Sequence, residues 1–464
     1  HKHDIKRSGQ QINYPYKSTT RNFMLLKVWG ARGSIPAPLK PELVTQKIIK
    51  ALTWAGQQKI DLSNMSAVKA FVDQLSFDGA TVGGNTTCIT IECGSDLLIF
   101  DAGSGIRELG DHLMNARDEH AQRLGFCRGK GHAHLFFTHT HWDHIQGLPF
   151  FTPLHVPGNS FDIYHIHDHV PQTLAKQMEA NVFPLRFDQI RAKLNFHQLK
   201  EGQLLKIGEA MISNTELKHP GKAYAFRIEA DNAIAIIATD AEYRSLDNLD
   251  TLKYRNFYAN ADVLIFDAMF SVRESFVKQD WGHSSALIGA DIAAESNAKR
   301  LVLFHHDPST TDSELMQIKQ ETEEYLQSQR HSIEVVVGQE GWEIELKNPT
   351  LKTDFHITER AKNGVIFLTL SGKFGGQATD RFRKHLARSL QTHQVNKVVL
   401  KMNEVSEIQM AGIQALVDAR SDVMSLALIE LPENIYRVIE LSATTDFFAI
   451  YKDEQAALAA LKSY

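Results

Sequence analysis

The sequence contains little of what secreted and membrane-spanning proteins are rich in. Three cysteines occur in 464 residues (Cys88, Cys93 and Cys127), too few and too irregularly spaced for a disulfide framework or a cysteine-based zinc site. No run of about 18 apolar residues is found, and residues 1–22 are polar and lack the apolar segment of a signal peptide. We therefore expect a cytoplasmic protein without a membrane span, in a compartment that keeps thiols reduced.

Positive charge is not in excess either. Lys and Arg number 50 against 55 Asp and Glu, and the net charge of -5 argues against a protein that wraps nucleic acid, although it permits a local basic groove. The apolar fraction of 43% and the charged fraction of 23% are typical of globular proteins and exclude disorder of the whole chain. The residue in excess is histidine, with 22 copies that cluster along the chain.

Two domains are predicted, at residues 23–348 and 354–464. The first contains short apolar strands that end in ionisable residues, the pattern by which layered αβ enzymes build sites from strand ends. It also contains an insertion at 41–75, whose apolar spacing predicts two helices with a break near 61–64. The second domain alternates strands and helices and is predicted to be a small αβ domain. Residues 1–22 are predicted to be a disordered tail or a cloning remnant, since they are polar and lack an initiator Met.

The densest polar cluster directly follows an apolar strand and reads His139-Thr140-His141-Trp142-Asp143-His144. Imidazole suits zinc and other borderline divalent metals, and a carboxylate adds charge and hardness. In a loop, His139 and His141 can point to one metal. Because the chain then turns, Asp143 and His144 can serve a second one. The alternative is a histidine-rich surface turn.

Two metals need more ligands than this loop supplies. The candidates lie downstream, each at a predicted strand or loop end: His219, Asp240 and His305. Any one of them alone is more often structural than a ligand, but together they complete a set. His305 is preferred because it directly follows the strand predicted at 301–304, and His306 is the alternative.

The order of these residues along the chain resembles that of the metallo-β-lactamase fold superfamily, over residues 23–346. Further stretches look like the branch that contains ribonuclease Z-like and cyclic-nucleotide phosphodiesterase-like hydrolases. These stretches are 28–36 (VWGARGSIP), 83–88 (GGNTTC), 101–105 (DAGSG), 147–151 (GLPFF) and 282–285 (GHSS). The resemblance implies an α/β fold, namely an αββα sandwich.

The resemblance also implies roles for individual residues. His139, His141 and His219 would hold one divalent ion. Asp143, His144 and His305 would hold the other, and Asp240 would bridge. Zn²⁺ is the expected metal, with Mn²⁺ or Fe as alternatives. His283 matches a family histidine that contacts the scissile phosphate or the leaving oxygen, so His283 and Asp143 are the candidate catalytic residues.

The expected reaction is hydrolysis of a phosphodiester by metal-bound hydroxide. A small cyclic nucleotide or dinucleotide is favoured as substrate, because the chain is acidic and because we find no long basic extension between His144 and His219 like the arm with which ribonuclease Z grips transfer RNA. Two alternatives stay open: a ribonuclease Z-like endoribonuclease, and a metal-stabilised signalling adaptor with vestigial catalysis.

Two other features have several interpretations. The histidine-dense stretch at 164–169 is interpreted mainly as surface, with a role at the substrate rim or in metal binding as alternatives; His165 and His167 are predicted to share one face of a strand. The insertion at 41–75 could form a cap over the site or a dimer contact, or it could be a solvated insertion.

The C-terminal domain resembles a STAS domain, the fold of anti-sigma-factor antagonists. The likeness is carried by 365–372 (VIFLTLSG), 397–401 (KVVLK), 411–416 (AGIQAL) and 447–461. Phosphorylated members carry Ser or Thr just before the glycine that opens a helix, whereas Gln409, Met410 and Ala411 precede Gly412 here. Because no hydroxyl stands at that position, we expect a regulatory module that binds a protein partner or pairs with itself, without a phosphate switch there. A stabilising appendage is the alternative.

Overall fold

The computed structural model describes residues 24–461 apart from 76, 78, 244–248, 347–354, 363 and 443. The predicted tail at 1–22 and the predicted domain boundary at 348–354 lie outside the described residues, so both stay predictions. The described strands form three sheets, two in the N-terminal part and one after residue 355.

The first sheet brings the two ends of the N-terminal part together. Its strands are β1 (Met24–Gly30), β2 (Cys88–Cys93), β3 (Asp96–Phe100), β4 (His132–Phe136), β5 (Ser160–His165), β6 (Lys193–Gln198) and β14 (Glu343–Leu346). In space, β14 lies beside β1, followed by β2 to β6 in chain order. Strands β3 to β6 are parallel, so their carboxyl ends meet at one edge of the sheet.

The second sheet runs through the rest of this part in the order β13 to β7. Its strands are β7 (Leu205–Ile207), β8 (Ala210–Leu217), β9 (Ala223–Ala230), β10 (Ala233–Ala238), β11 (Val263–Asp267), β12 (Arg300–Phe304) and β13 (Glu334–Val337). Strands β10 to β13 are parallel. Every residue of β10 is buried, which explains its unbroken apolar sequence AIAIIA.

The two sheets pack face to face, with helices on their outer faces. Phe226 of β9 packs between Phe100 of β3 and Phe136 of β4, with ring centroids 5.6 and 5.4 Å apart. The helices of this part, besides those of the insertion, are α3 (Gly105–Leu113), α4 (Glu119–Leu124), α5 (Trp142–Ile145), α6 (Val170–Lys176), α7 (Leu249–Tyr258), α8 (Val272–Val277), α9 (Ala286–Glu295) and α10 (Asp312–Ser328). The predicted αββα sandwich is confirmed.

The insertion contains the two predicted helices, α1 (Pro41–Gln57) and α2 (Met65–Gln74). They share a small core of Ala55, Phe71 and Leu75. The apolar spacing in α1 did not predict burial, however, because Ile48, Ile49 and Leu52 are each more than half exposed. Whether the insertion caps the site, makes a dimer contact or is merely solvated stays open.

The third sheet forms the predicted small αβ domain. Its strands, in spatial order, are β15 (His356–Lys362), β16 (Val365–Phe374), β17 (Lys397–Ile408), β18 (Ser425–Ile429) and β19 (Ala449–Tyr451). Its helices are α11 (Gln377–His393), α12 (Met410–Asp422), α13 (Glu433–Leu441) and α14 (Glu454–Leu461). Only β15 is antiparallel to its neighbour, and the aromatic core includes Phe355, Phe374 and Phe382. Among the described residues, no helix combines the length and apolarity that a membrane crossing requires.

Candidate metal centre

The predicted site residues meet at one edge of the sandwich, where parallel strands from both sheets end. Asp101 follows β3, the loop 139–144 follows β4, Asp240 follows β10 and His305 follows β12. His219 comes from the loop after β8. The strand ends are brought together by sheet pairing, so residues far apart in the chain line one pocket.

Three of these strand-end residues have a left-handed backbone. The φ angles are 60° at Asp101 and 57° at both Asp240 and His305. Such a conformation costs roughly 1–2 kcal/mol at a residue with a side chain, and it concentrates at functional sites. The left-handed residue ends each strand abruptly, at the point where its ionisable side chain enters the site.

The side chains form two groups with closely spaced ligand atoms. His139, His141 and His219 make one group, and Asp143, His144, Asp240 and His305 make the other; within each group the ligand atoms lie within 4.8 Å of one another. The carboxylate of Asp240 contacts both groups. Its Oδ1 is 3.8 Å from His139 Nε2 and 3.3 Å from His305 Nε2, and its Oδ2 is 3.2 Å from His144 Nε2.

Hydrogen bonds from outside the groups fix which nitrogen each histidine presents. Thr138 Oγ1 donates to Asp101 and therefore accepts from His139 Nδ1, 3.0 Å away, which leaves the lone pair on His139 Nε2. His144 Nδ1 donates to Asp101 over 2.7 Å, and His219 Nδ1 donates to the Gly282 carbonyl over 2.9 Å. Each of these histidines is thereby held with Nε2 facing the pocket. Asp101 thus accepts hydrogen bonds from both Thr138 and His144 and holds the metal-ligand segment in place.

These donors fit divalent cations. His139 Nε2 and Asp240 Oδ2 are buried and have no hydrogen-bond partner, a costly state that a coordinated cation removes. Donors of one tetrahedral zinc, at bond lengths of about 2.0–2.1 Å, lie about 3.3 Å apart. His144 Nε2 and His305 Nε2 are 3.3 Å apart, and His305 Nε2 and Asp143 Oδ2 are 3.0 Å apart.

The electrostatics of the pocket also suit cations. Burial by itself raises the pKa of Asp143 and of Asp240, but the neighbouring His144 and His305 outweigh it and hold both pKa values well below the usual range. Burial lowers the pKa of His139, as do the neighbouring imidazoles, so this ring is neutral. Burial lowers the pKa of His144, but the surrounding carboxylates outweigh it and raise this pKa well above its usual range. Since metals bind ionised carboxylates and neutral imidazoles, a cation that binds His144 would take the place of a proton.

His283 lies beside both groups. Its ring centroid is 5.1 Å from that of His305 and 5.3 Å from that of His219. Its Nδ1 donates to Asp267 Oδ2 over 2.7 Å. Burial lowers the pKa of His283, but the Asp267 carboxylate outweighs this and raises it to about 9. His283 therefore carries a proton that it can donate.

Other predicted candidates lie outside the two groups. His306 Nε2 donates to the Gly338 carbonyl, 2.8 Å away, and burial lowers its pKa to about 3. In the stretch 164–169, β5 ends at His165, so the prediction that His165 and His167 share a strand face is wrong. His169 Nε2 lies 3.0 Å from Thr140 Oγ1, at the edge of the metal-ligand loop. A rim role for this stretch stays a prediction.

Sequence reasoning assigned no role to two backbone groups that hold the site together. The Ser34 amide donates to Asp143 Oδ2 over 2.8 Å, and the Gly282 carbonyl accepts from His219. Ser34 and Gly282 both lie in stretches that carry the family resemblance, and this resemblance was the signal that could have identified them. Gly282 has φ of 85°, and a Cβ there would lie 2.2 Å from His219 Nδ1.

Gly33 allows a test of this close packing. A Cβ at Gly33 would lie 2.5 Å from two ring atoms of His305. We expect Gly33→Ala to displace His305 and to lower the rate of any reaction that this site catalyses by about 10²-fold, because small misplacements at an active site are that costly. Steady-state rates and bound metal should both be measured, with Gly56→Ala in α1, where a Cβ meets open space, as the control for an added methyl group. An unchanged rate in Gly33→Ala would contradict a role for His305 in the activity of this site.

Comparison with known families agrees with this geometry. The Beta-lactamase superfamily domain profile matches residues 98–306, and the STAS domain profile matches residues 356–457. The chain joins a metallo-β-lactamase-fold hydrolase domain to a STAS domain. The predicted resemblance to both families is thereby confirmed.

Individual relatives of this metallo-β-lactamase-fold hydrolase are distant. Ribonuclease Z of Prochlorococcus marinus (strain MIT 9515) is 25% identical over 272 residues, which cover 48% of this chain and 82% of that protein. The metallo-beta-lactamase fold protein YhfI from Bacillus subtilis is 18% identical, with a TM-score of 0.45, over 70% of this chain and 99% of that one. An anti-sigma factor antagonist from Thermotoga maritima is 17% identical, with a TM-score of 0.22, over 23% of this chain and 94% of that one.

Proposed function

We propose that the protein is a dinuclear metal-dependent phosphodiesterase that hydrolyses a small cyclic nucleotide or dinucleotide. The observation that supports this best is the pair of ligand groups that share Asp240, with buried and unpartnered donor atoms at their centre. His139, His141 and His219 would hold one cation. Asp143, His144 and His305 would hold the other. Zn²⁺ suits these ligands best, and Mn²⁺ or Fe are alternatives.

The reaction divides between cations and side chains. Two divalent cations supply a water nucleophile at neutral pH and neutralise charge on the phosphoryl oxygens. Asp101 and the Ser34 amide hold His144 and Asp143 in place. His283 would donate a proton or hydrogen bond to the leaving oxygen, because Asp267 binds its Nδ1 and leaves Nε2–H directed elsewhere.

Exposed indole rings next to the ligands favour a nucleotide. Trp142, between ligands in the loop, is 69% exposed, and Trp281, two residues before His283, is 62% exposed. Large exposed aromatic rings can stack on nucleobases of any sequence, because every base has a π face. One or two bases could be held in this way beside the metal centre.

The stacking role is tested with Trp142→Ala on a cyclic nucleotide. Stacking is worth about 1–3 kcal/mol per base, so we expect KM to rise by at least about 5-fold while kcat changes little. Trp142→Phe should keep most of the affinity, and Tyr436→Ala, on the STAS domain, is the control for loss of an exposed aromatic ring. A fall in kcat at constant KM would count against stacking.

RNA is the second candidate substrate, because several relatives are named ribonuclease Z. Two features argue against a long RNA. The net charge of -5 is unfavourable for binding a long polyanion, because phosphate contacts supply much of the affinity for nucleic acids. Residues 166–192, the longest strand-free stretch between His144 and His219, hold a seven-residue helix and a short 3₁₀ turn, with no long arm in this fully described stretch.

The proposal is tested by turnover of bis-p-nitrophenyl phosphate with added Zn²⁺ or Mn²⁺. No turnover by protein loaded with either ion would favour the third candidate, a signalling adaptor with vestigial catalysis. Rates on cyclic nucleotides and on a precursor transfer RNA separate the first two candidates. Faster cleavage of the RNA would overturn the preference for a small substrate.

The STAS domain would bind a protein partner or a second copy of the chain without a phosphate switch at the start of α12. The residues there, Gln409 to Ala411, have no hydroxyl group, and Gln409 and Ala411 line a cavity with Asp231 and Asn232 of the β9–β10 turn. The start of α12 thus lies against the hydrolase domain. A partner that docks there could therefore affect the hydrolase domain. Cys88, Cys93 and Cys127 are free thiols, in keeping with the cytoplasmic location that we propose.

A further inference from the structure

A second histidine-rich cluster lies on one face of the first sheet, across β4, β5 and β6. The parallel pairing aligns His134 of β4 with Asp162 of β5, and Asp162 with Asn195 of β6. His132 and His197 are two residues away along their strands, so all these side chains project from the same face. The cluster is separated from His139 by five residues, roughly 16 Å of extended chain. It is therefore distinct from the metal centre described above.

The cluster is arranged around the carboxylate of Asp162. Its Oδ1 accepts hydrogen bonds from His197 Nε2 at 2.9 Å and from Asn195 Nδ2 at 2.8 Å. Its Oδ2 faces two further rings, with His132 Nε2 at 3.3 Å and His134 Nδ1 at 3.9 Å. Hydrogen bonding explains the first pair, at normal distances, and His134 Nδ1 also contacts the Tyr164 hydroxyl at 3.4 Å. The His132 ring still faces the second oxygen of Asp162 at a distance that a shared cation would explain.

We propose that His132, His134 and Asp162 bind an additional divalent transition-metal cation of the Zn²⁺ type, with His197 holding the Asp162 carboxylate through its other oxygen. Ligand atoms of His132, His134 and Asp162 lie within 4.8 Å of one another. The 3.3 Å spacing of His132 and Asp162 is that of donors around one tetrahedral ion, about 3.3 Å. Two imidazoles and one carboxylate are ligands that zinc accepts, and water can complete the set.

The surroundings support a binding site. Ser160 Oγ lies 2.9 Å from His132 Nδ1, so it can accept the Nδ1 proton and leave the Nε2 lone pair facing Asp162. His134 is 7% exposed and forms the inner wall, whereas the His132 and His197 side chains are each 45% exposed. A cation can thus enter from solvent between two half-exposed rings and reach a buried ligand.

The test compares metal content between matched variants of the full chain. The protein is loaded with Zn²⁺, freed of excess metal by gel filtration, and analysed for zinc per chain. We expect His132→Gln/His197→Gln to contain one zinc fewer than wild type, while its rate on bis-p-nitrophenyl phosphate is kept. His331→Gln/His356→Gln, which alters two exposed histidines outside the cluster, should keep the wild-type content. Equal zinc in the cluster variant and wild type would overturn the proposal.

The result does not depend on the proposed dinuclear centre. If that centre binds two ions, the expected change is from three to two; if it binds none, the change is from one to none. If the double variant does not fold, His132→Gln alone is titrated with Zn²⁺ against a chromophoric chelator. Loss of a ligand should weaken the zinc affinity of one site by more than roughly 10- to 100-fold, which is the loss caused by removing a residue that only hydrogen-bonds to a ligand. Affinities equal to those of wild type at every site would overturn the proposal.

Discussion

Asp143→Ala is expected to lower bis-p-nitrophenyl phosphate turnover by at least about 10³-fold and to remove one metal ion per chain. The reason is the environment of this carboxylate. Asp143 Oδ2 lies 3.0 Å from His305 Nε2 and accepts from the Ser34 amide, so its loss removes one carboxylate from the buried His305 ring and the partner of the Ser34 amide. Alanine also removes the negative charge that one cation would neutralise.

Zinc per chain and steady-state turnover should be measured on the same preparation. Asp168→Ala is the matched control, because Asp168 lies in the other histidine-dense stretch with its side chain 88% exposed. It should change neither quantity. An unchanged zinc count in Asp143→Ala would contradict the assignment of Asp143 as a ligand, whatever the rate does.

The sequence predicted which strands and ionisable residues form the site, but it did not predict the backbone conformation that positions those residues. Apolar runs such as β10 and β12 are unambiguous, and the ionisable residue after each run marks the edge where a pocket can form. The left-handed backbone at Asp101, Asp240 and His305 could not be predicted, because nothing local in these residue types demands it. Tertiary packing imposes that conformation just beyond the end of each strand, where the ionisable side chain enters the site.

Long-range pairing limited the sequence analysis in the same way. The second cluster around Asp162 has no compact motif, since its residues come from three strands and meet only through the register of β4, β5 and β6. The stretch 164–169 is denser in histidine, yet its rings bond to nearby backbone, as His165 does to the His167 carbonyl. The number of histidines in a stretch of sequence is therefore a weaker guide to a metal site than the distances between their rings in the fold.

The helices of the insertion show the converse limit. The 3.6-residue spacing of apolar residues correctly predicted helix α1. This spacing indicates only that one face of the helix is apolar; it does not indicate what covers that face. Ile49 is 60% exposed. Lys47 Nζ lies 3.0 Å from Asp312 Oδ2 and joins the insertion to the start of α10, so the insertion is attached by polar contacts as well as by its own small core.

His283→Ala is expected to separate two substrates by their leaving groups. Cleavage of a cyclic nucleotide expels a ribose alkoxide that needs a proton, so loss of a positioned donor should slow it by about 10³-fold. p-Nitrophenolate leaves without protonation, so turnover of bis-p-nitrophenyl phosphate should fall by less than about 10-fold. The donor is in place because Asp267 binds Nδ1 and keeps the ring protonated, with a pKa of about 9.

The comparison of substrates distinguishes proton donation from support of the metal centre. The His283 ring packs against His305 and His219, so its removal could also loosen these ligands. A loosened centre would slow both substrates equally and lower the zinc content. Equal losses on the two substrates would therefore show that His283 positions ligands, whereas unequal losses at full zinc content require a group that acts on the leaving oxygen.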